Sequence, residues 1–198
     1  FHHMEAFDLT VEEVDAVLGT PLARPKSACF RTADLVGLDT MKHVLGNVYD
    51  NAPDDERRQW FVSPAYLDKL IESGRTGDKA GGGFYKKTKI DGKRAILALD
   101  TKTMEYRPKQ KVRFDCIGAA RKADKLADKV RAMVYGDEND KGAQFAWAVT
   151  ADTLIYAANR IPEITDDIVS VDNAMKWGFG WDLGPFETWD AIGVAESV

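Results

Sequence analysis

Cysteine is nearly missing from this chain. Only Cys29 and Cys116 occur, and they form no C-x-x-C pair. That argues against a disulfide framework and fits a reducing, cytoplasmic setting. Histidine is almost as scarce, with His2, His3 and His43 alone. None has metal-ligand spacing to a Cys or an acidic partner. No apolar run approaches the roughly 18 residues that a membrane span needs, and nothing resembles a signal peptide. A one-signed charge patch is also missing. The net charge is -5 and the basic residues are scattered. Their main local cluster, "ARKADKLADKVR", interleaves Asp with Lys and Arg at helical spacing and reads as a solvated helix face. Nucleic-acid binding would need a one-signed patch, so no nucleic-acid partner is expected.

What is present suits one or two globular domains. The 198 residues are 44% hydrophobic and 30% charged, enough to bury a core. Thr10-x-x-Glu13 is a capping box opening a helix striped by Val11, Val14, Val17 and Leu18. Phe30 opens a short helix that Gly37 ends. Asp39 caps the next, with Met41, Val44, Leu45 and Val48 at 3–4 spacing. Ser63-Pro64 signals a further start. After "GDKAGGGFY" the period changes from helical to alternating, and 83–107 reads as a small hairpin or meander. Residues 115–134 read as one charged amphipathic helix. Residues 140–161 read as a helix apolar nearly all round, central to a bundle. Thr165 starts a last long helix, with Ile168, Val171, Ala174 and Met175 inward and Gly178 as its stop.

A short phrase occurs twice. F-x-T-x-D-x-x-G spans Phe30–Gly37 and again Phe186–Gly193. Each copy follows a capped helix with an internal Val-Asp, at Asp15 and Asp172, and a Pro-containing loop. Two copies make a tandem duplication rather than a solenoid. The expected fold is therefore mainly α: two duplicated helical subdomains with a small β-hairpin or meander between them. On a helix, the Phe, Asp and Gly of the phrase share one face. Asp34 and Asp190 could be catalytic or cation-binding acids, or carboxylates that fix a turn. The second reading is favoured, because no His or second carboxylate sits at useful spacing. It makes the two Asp residues equivalent structural joints. Cys29 lacks an identifiable activating base. "GGGF" follows a helix and opens a strand, the reverse of a dinucleotide loop. Trp177, Trp181 and Trp189 could mark a ligand pocket, an interface or plain core packing.

Gly77–Tyr85, "GDKAGGGFY", resembles the G-x-K-x-G-x-G-F-Y signature closing the C-terminal domain of 3-hydroxyacyl-CoA dehydrogenases. Arg24–Thr40 resembles the family's preceding G-P-F-x-x-x-D-x-x-G-L-D-T stretch, with Ala28-Cys29 where Gly-Pro is common. The second copy keeps Gly184-Pro185-Phe186, and "YAANRIPEI" resembles the family's Asn-Arg helix. The resemblance implies 6-phosphogluconate-dehydrogenase-C-terminal-like helical subdomains. A first, N-terminally truncated domain would cover 1–90, a β-hairpin and charged connector 91–138, and a second, partial copy 139–198. It implies that NAD and a catalytic His–Glu pair belong to a separate N-terminal Rossmann domain, and that no cofactor binds this fragment itself. The helical part would support the acyl-CoA cleft of a β-oxidation enzyme and could form a homodimer. Tandem copies suggest the multifunctional type, with an enoyl-CoA hydratase domain on the same polypeptide. Asn159, in the second copy's Asn-Arg, is the one candidate catalytic residue. The first copy's Asn-Arg is expected just upstream of Phe1. The alternatives are a purely structural dimerisation or docking module, or the same scaffold in a dehydrogenase of another 3-hydroxy acid.

Overall fold

The computed structural model describes residues 1–198. Its chain is mainly helical, with one small antiparallel sheet. It divides into two compact units. One holds residues 1–14 and 29–111, the other 15–28 and 112–198. These units differ from the expected division at 90 and 138. The meander falls wholly in the first unit, and most of the charged connector falls in the second.

In the first unit, α1 (His2–Ala6) precedes the start of α2 (Val11–Val17). The capping box forms as read: Thr10 N–H donates to Glu13 Oε2 at 2.8 Å, and Glu13 N–H returns to Thr10 Oγ1 at 3.4 Å. Next come α3 (Phe30–Val36) and α4 (Leu38–Asn51). Gly37 joins them at φ 111, a value that L side chains rarely adopt. Gly37 itself precedes α4, and Asp39 sits in its first turn instead of capping it. A 3-10 turn at Arg58–Phe61 leads to α5 (Ala65–Glu72), which starts one residue later than Pro64 suggests. The meander is β1 (Tyr85–Ile90), β2 (Lys93–Leu99) and β3 (Tyr106–Pro108), paired in that order. Phe84, Leu67, Leu70 and Leu38 are fully buried and centre the core. Truncating one of them to Ala would cost about 2–5 kcal/mol. The remaining stripe of α4 is less buried than its period predicts, and Val44 is 57% exposed.

The second unit is built from α6 (Asp115–Ala120), α7 (Leu126–Val134), α8 (Lys141–Asn159), α9 (Ile168–Phe179), α10 (Pro185–Ile192) and α11 (Val194–Ser197). The single helix expected over 115–134 is broken. Residues 121–125 bury no side chain, so interrupting the helix there loses no core contact. The two pieces keep their own anchors, Cys116, Ile117 and Ala120, then Val130, Met133 and Val134. Helix α8 is capped by Asp140, whose carboxylate accepts Gly142 N–H. It is not buried all round: Phe145, Ala146, Leu154 and Ala157 face inward, while Ile155 is exposed. Helix α9 also departs from expectation. Its one buried side chain is Asp172, whereas Ile168 and Ala174 are exposed. The helix runs through Gly178 and stops at Gly180, which takes the left-handed conformation at φ 66.

Candidate functional site

The first copy of the repeated phrase builds a lock. Asp34 lies on α3 and is 1% exposed. Its Oδ1 accepts Phe84 N–H and its Oδ2 accepts Tyr85 N–H, both at 2.8 Å. The backbone must come very close for this. A Cβ on Gly83 would overlap Asp34 Oδ1, and one on Gly77 would lie 2.5 Å from the Asp34 carbonyl oxygen. Gly77 also holds φ 120. These approaches explain why the segment from Gly77 to Tyr85 is so rich in glycine. Arg31, one turn before Asp34, grips Asp78 with both guanidinium nitrogens at 2.5 Å. That bond, above all, pulls the Asp78 carboxyl down to about 2. Burial pushes Asp34 up to about 6, against the two amide bonds that pull it down. With both oxygens committed to amides, Asp34 fixes the α3–β1 junction and does not face a reactant.

The second copy locks differently. Asp190 is exposed, so it is not the equivalent joint that the repeat suggested. The buried carboxylate there is Asp172, 6% exposed, on α9. It accepts Phe186 N–H at 2.8 Å and Glu187 N–H at 3.1 Å, tying α9 to the start of α10. A Cβ on Gly184 would overlap it, which is the physical reason for Gly before Pro185. At the corresponding place in the first copy, Ala28 has φ 49, whereas Gly184 has φ -72. The copies therefore differ in backbone there as well as in side chain.

The groove with room for a ligand lies in the first unit, along α4 and the Arg58–Phe61 turn. It measures about 340 Å³ and is lined by Lys42, Gly46, Tyr49, Phe61, Val62 and Ser63. Gly46 leaves its floor open, since nothing lies within 4 Å of where a Cβ would be. Asp68 organises the rim. It holds Lys42 Nζ at 2.8 Å and accepts Ser63 Oγ–H at 2.8 Å. Arg58 stacks on Tyr49 at 4.0 Å and donates from Nε to the Tyr49 carbonyl at 2.9 Å, stiffening the far wall. An apolar channel with one ammonium and one hydroxyl at its edge suits an acyl or thioester arm better than a polar metabolite. Sequence reasoning missed this groove. Its α4 residues, Lys42, Gly46 and Tyr49, lie outside the apolar stripe Met41, Val44, Leu45 and Val48, so the helical period gave no signal of it.

The other candidates are not assembled into a centre. Asn159 is exposed at the C-terminal end of α8, outside this groove. His2 and His3 pack on Trp60. Cys29 is exposed; Cys116 is buried, and its thiol is pushed up to about 12 chiefly by burial. Trp177 is 80% exposed, Trp181 lies under Arg24, and Trp189 donates to Ser197 Oγ.

The residues present do not fit a dinucleotide. Within the glycine-rich loop, Gly81 N–H donates to Asp78, Gly82 N–H to Gly77 and Gly83 N–H to Tyr85. Phe84 and Tyr85 N–H go to Asp34. Every amide from Ala80 to Tyr85 is thus committed, which leaves that stretch no cradle for a pyrophosphate.

Residues 1–87 match the family model described as 3-hydroxyacyl-CoA dehydrogenase, C-terminal domain. The chain is 47% identical over 188 residues to a Bacillus subtilis protein named 3-hydroxyacyl-CoA dehydrogenase, covering 95% of this chain and 23% of that protein. It is 26% identical over 189 residues to a Rickettsia prowazekii protein named fatty acid oxidation complex trifunctional enzyme, covering 94% of this chain and 24% of that protein. A Mycobacterium tuberculosis 3-hydroxybutyryl-CoA dehydrogenase is 34% identical over 82 residues, 41% of this chain and 27% of its own length. The chain thus spans roughly a quarter of the length of these relatives.

Proposed function

Taking as premise that residues 1–87 belong to the 3-hydroxyacyl-CoA dehydrogenase C-terminal domain family, we propose that the chain is the helical support of such an enzyme in fatty-acid β-oxidation. The reaction is 3-hydroxyacyl-CoA and NAD to 3-oxoacyl-CoA and NADH. The single observation carrying this reading is the Asp34 lock. It spends the family's motif residues, Asp34, Gly77 and Gly83, on holding α3 and the sheet together. That lock fixes the turn into α4, whose groove gives the acyl-CoA arm one wall. NAD and the groups that take the hydroxyl proton would come from an N-terminal Rossmann domain of the same polypeptide; an enoyl-CoA hydratase domain would accompany it in the multifunctional type. We place the first helical copy at 1–90 and the second at 139–198, with 91–138 between them.

The test is a chimera. This chain replaces the matching segment of the Bacillus subtilis relative, and NADH formation from a 3-hydroxyacyl-CoA is followed. Activity within an order of magnitude of the parent supports the reading, and a folded but inactive chimera counts against it. Asn159 is tested in the same chimera: a fall in kcat for Asn159→Ala at unchanged stability supports a catalytic role. No change makes it architectural.

A second reading has its own observation. Ile164, Trp177 and Phe179, on and beside α9, are each at least 66% exposed. Such apolar exposure suits a dimerisation or docking module. Its test is light scattering across concentration, where a monomer throughout would speak against self-association. A dehydrogenase of another 3-hydroxy acid would share all these features, and substrate profiling of the chimera separates it.

A further inference from the structure

The meander carries a charge that the rest of the chain does not. Residues 86–111 hold nine Lys and Arg against three acids, a net +6 inside a chain of net -5. Along the sequence these cations look scattered. Strand register gathers them: Lys89 stands directly opposite Arg94, and Lys87 opposite Ile96. Paired residues of an antiparallel ladder share a face, so Lys87, Lys89 and Arg94 surround Ile96 on one side. Lys109 joins that side, since its ammonium lies 5.1 Å from the Tyr85 ring and its N–H donates to the Ile96 carbonyl.

Like charges directly opposite each other destabilise a sheet, so a structural role does not explain Lys89 and Arg94. No carboxylate neutralises Lys89 or Arg94, while Lys87 shares Asp78 with Arg31. One large apolar side chain stands among these cations: Ile96 is 49% exposed. The one aromatic ring in the two long strands, Tyr85, is buried, so the surface offers no platform for stacking bases. Cations around an exposed aliphatic side chain match an anionic lipid surface, whose headgroups take the charge and whose acyl boundary takes Ile96.

We propose that the β1–β2 hairpin docks this protein peripherally on anionic lipid membranes through the face carrying Lys89, Arg94, Lys109 and Ile96. This inference does not rest on the dehydrogenase reading. The test is co-sedimentation of the 198-residue protein with vesicles of phosphatidylcholine alone or mixed with phosphatidylglycerol. Binding is expected to the mixed vesicles alone, and to be released by salt. Lys89→Ala with Arg94→Ala should weaken it about 25-fold, roughly fivefold for each charge removed near an anionic surface. Lys122→Ala with Lys125→Ala, exposed positions outside the hairpin, changes net charge equally and should alter binding by less than about twofold. Circular dichroism checks that both variants are folded. Equal binding to both vesicle types, equal losses in the two double variants, or tighter binding to a single-stranded oligonucleotide than to mixed vesicles would each overturn the proposal.

Discussion

Adding one methyl group at Gly83 tests the lock most sharply. The new Cβ would overlap Asp34 Oδ1 and come within 2.9 Å of Gly77 Cα. Neither neighbour can yield cheaply. Gly77 is backbone, and Asp34 is buried with both oxygens bonded. Overpacking of this kind costs about 1–3 kcal/mol. If Asp34 is driven off, the Phe84 and Tyr85 amides lose their acceptor, at about 1–3 kcal/mol each for a buried donor. Gly83→Ala is therefore expected to cost about 3–9 kcal/mol in all, a large share of the roughly 5–15 kcal/mol that holds a typical domain. Urea unfolding of the 198-residue protein measures this, with Trp60 as the one tryptophan reporter in the first unit. Amide exchange at Phe84 and Tyr85 localises the damage. A loss under about 1 kcal/mol with both amides still protected would refute the reasoning.

Three further predictions follow from the same geometry. Asp172→Ala should destabilise by about 2–4 kcal/mol, because it orphans two amides, whereas Asp190→Ala should stay within about 0.5 kcal/mol as an exposed change; chemical denaturation compares them, and a cost of about 2 kcal/mol or more for Asp190→Ala would restore Asp190 as the joint equivalent to Asp34. Asp34 titrates near 6 in the fold and near 3.8 unfolded, so the native state takes up its proton first. Its contribution should make the protein more stable as pH falls from about 7 towards 4. Asp78, held down to about 2, contributes above its unfolded value of 3.8 and loses that contribution as pH falls towards 2. Carboxyl carbon shifts should give an Asp34 midpoint near 6, and a midpoint near 3.8 sinks the burial argument. Gly46→Leu should raise stability by about 0.5–1 kcal/mol through helix propensity while filling the α4 groove. In the chimera it should raise KM for acyl-CoA, and an unchanged KM removes the groove from the substrate path.

Much of this architecture is readable in the residues. The Thr10–Glu13 box, the Gly37 corner and the alternating strands all depend on neighbours close in sequence, and they form where local chemistry puts them. The two Asp residues of the phrase were not separable that way. Asp34 is buried because glycines about fifty positions later come down onto it, whereas in the second copy the buried acceptor is Asp172. The break at 121–125 was hidden because the helical period continues across it. The inward face of α9 was hidden because apolar residues occupy several of its faces, so the pattern does not select one. The groove was not legible, because Lys42, Gly46 and Tyr49 lie off the apolar stripe of α4. The charged hairpin was legible only after register set Lys89 opposite Arg94.

The most direct measurement of the central claim is NADH formation by the 198-residue protein supplied with NAD and a 3-hydroxyacyl-CoA. The nucleotide site and the proton-accepting groups are proposed to lie in another domain, and the amides from Ala80 to Tyr85 are already used within the fold. No NADH is expected above the rate without protein, and turnover is expected when the chain stands in its place within the longer relative. Steady NADH production by the chain alone would contradict it.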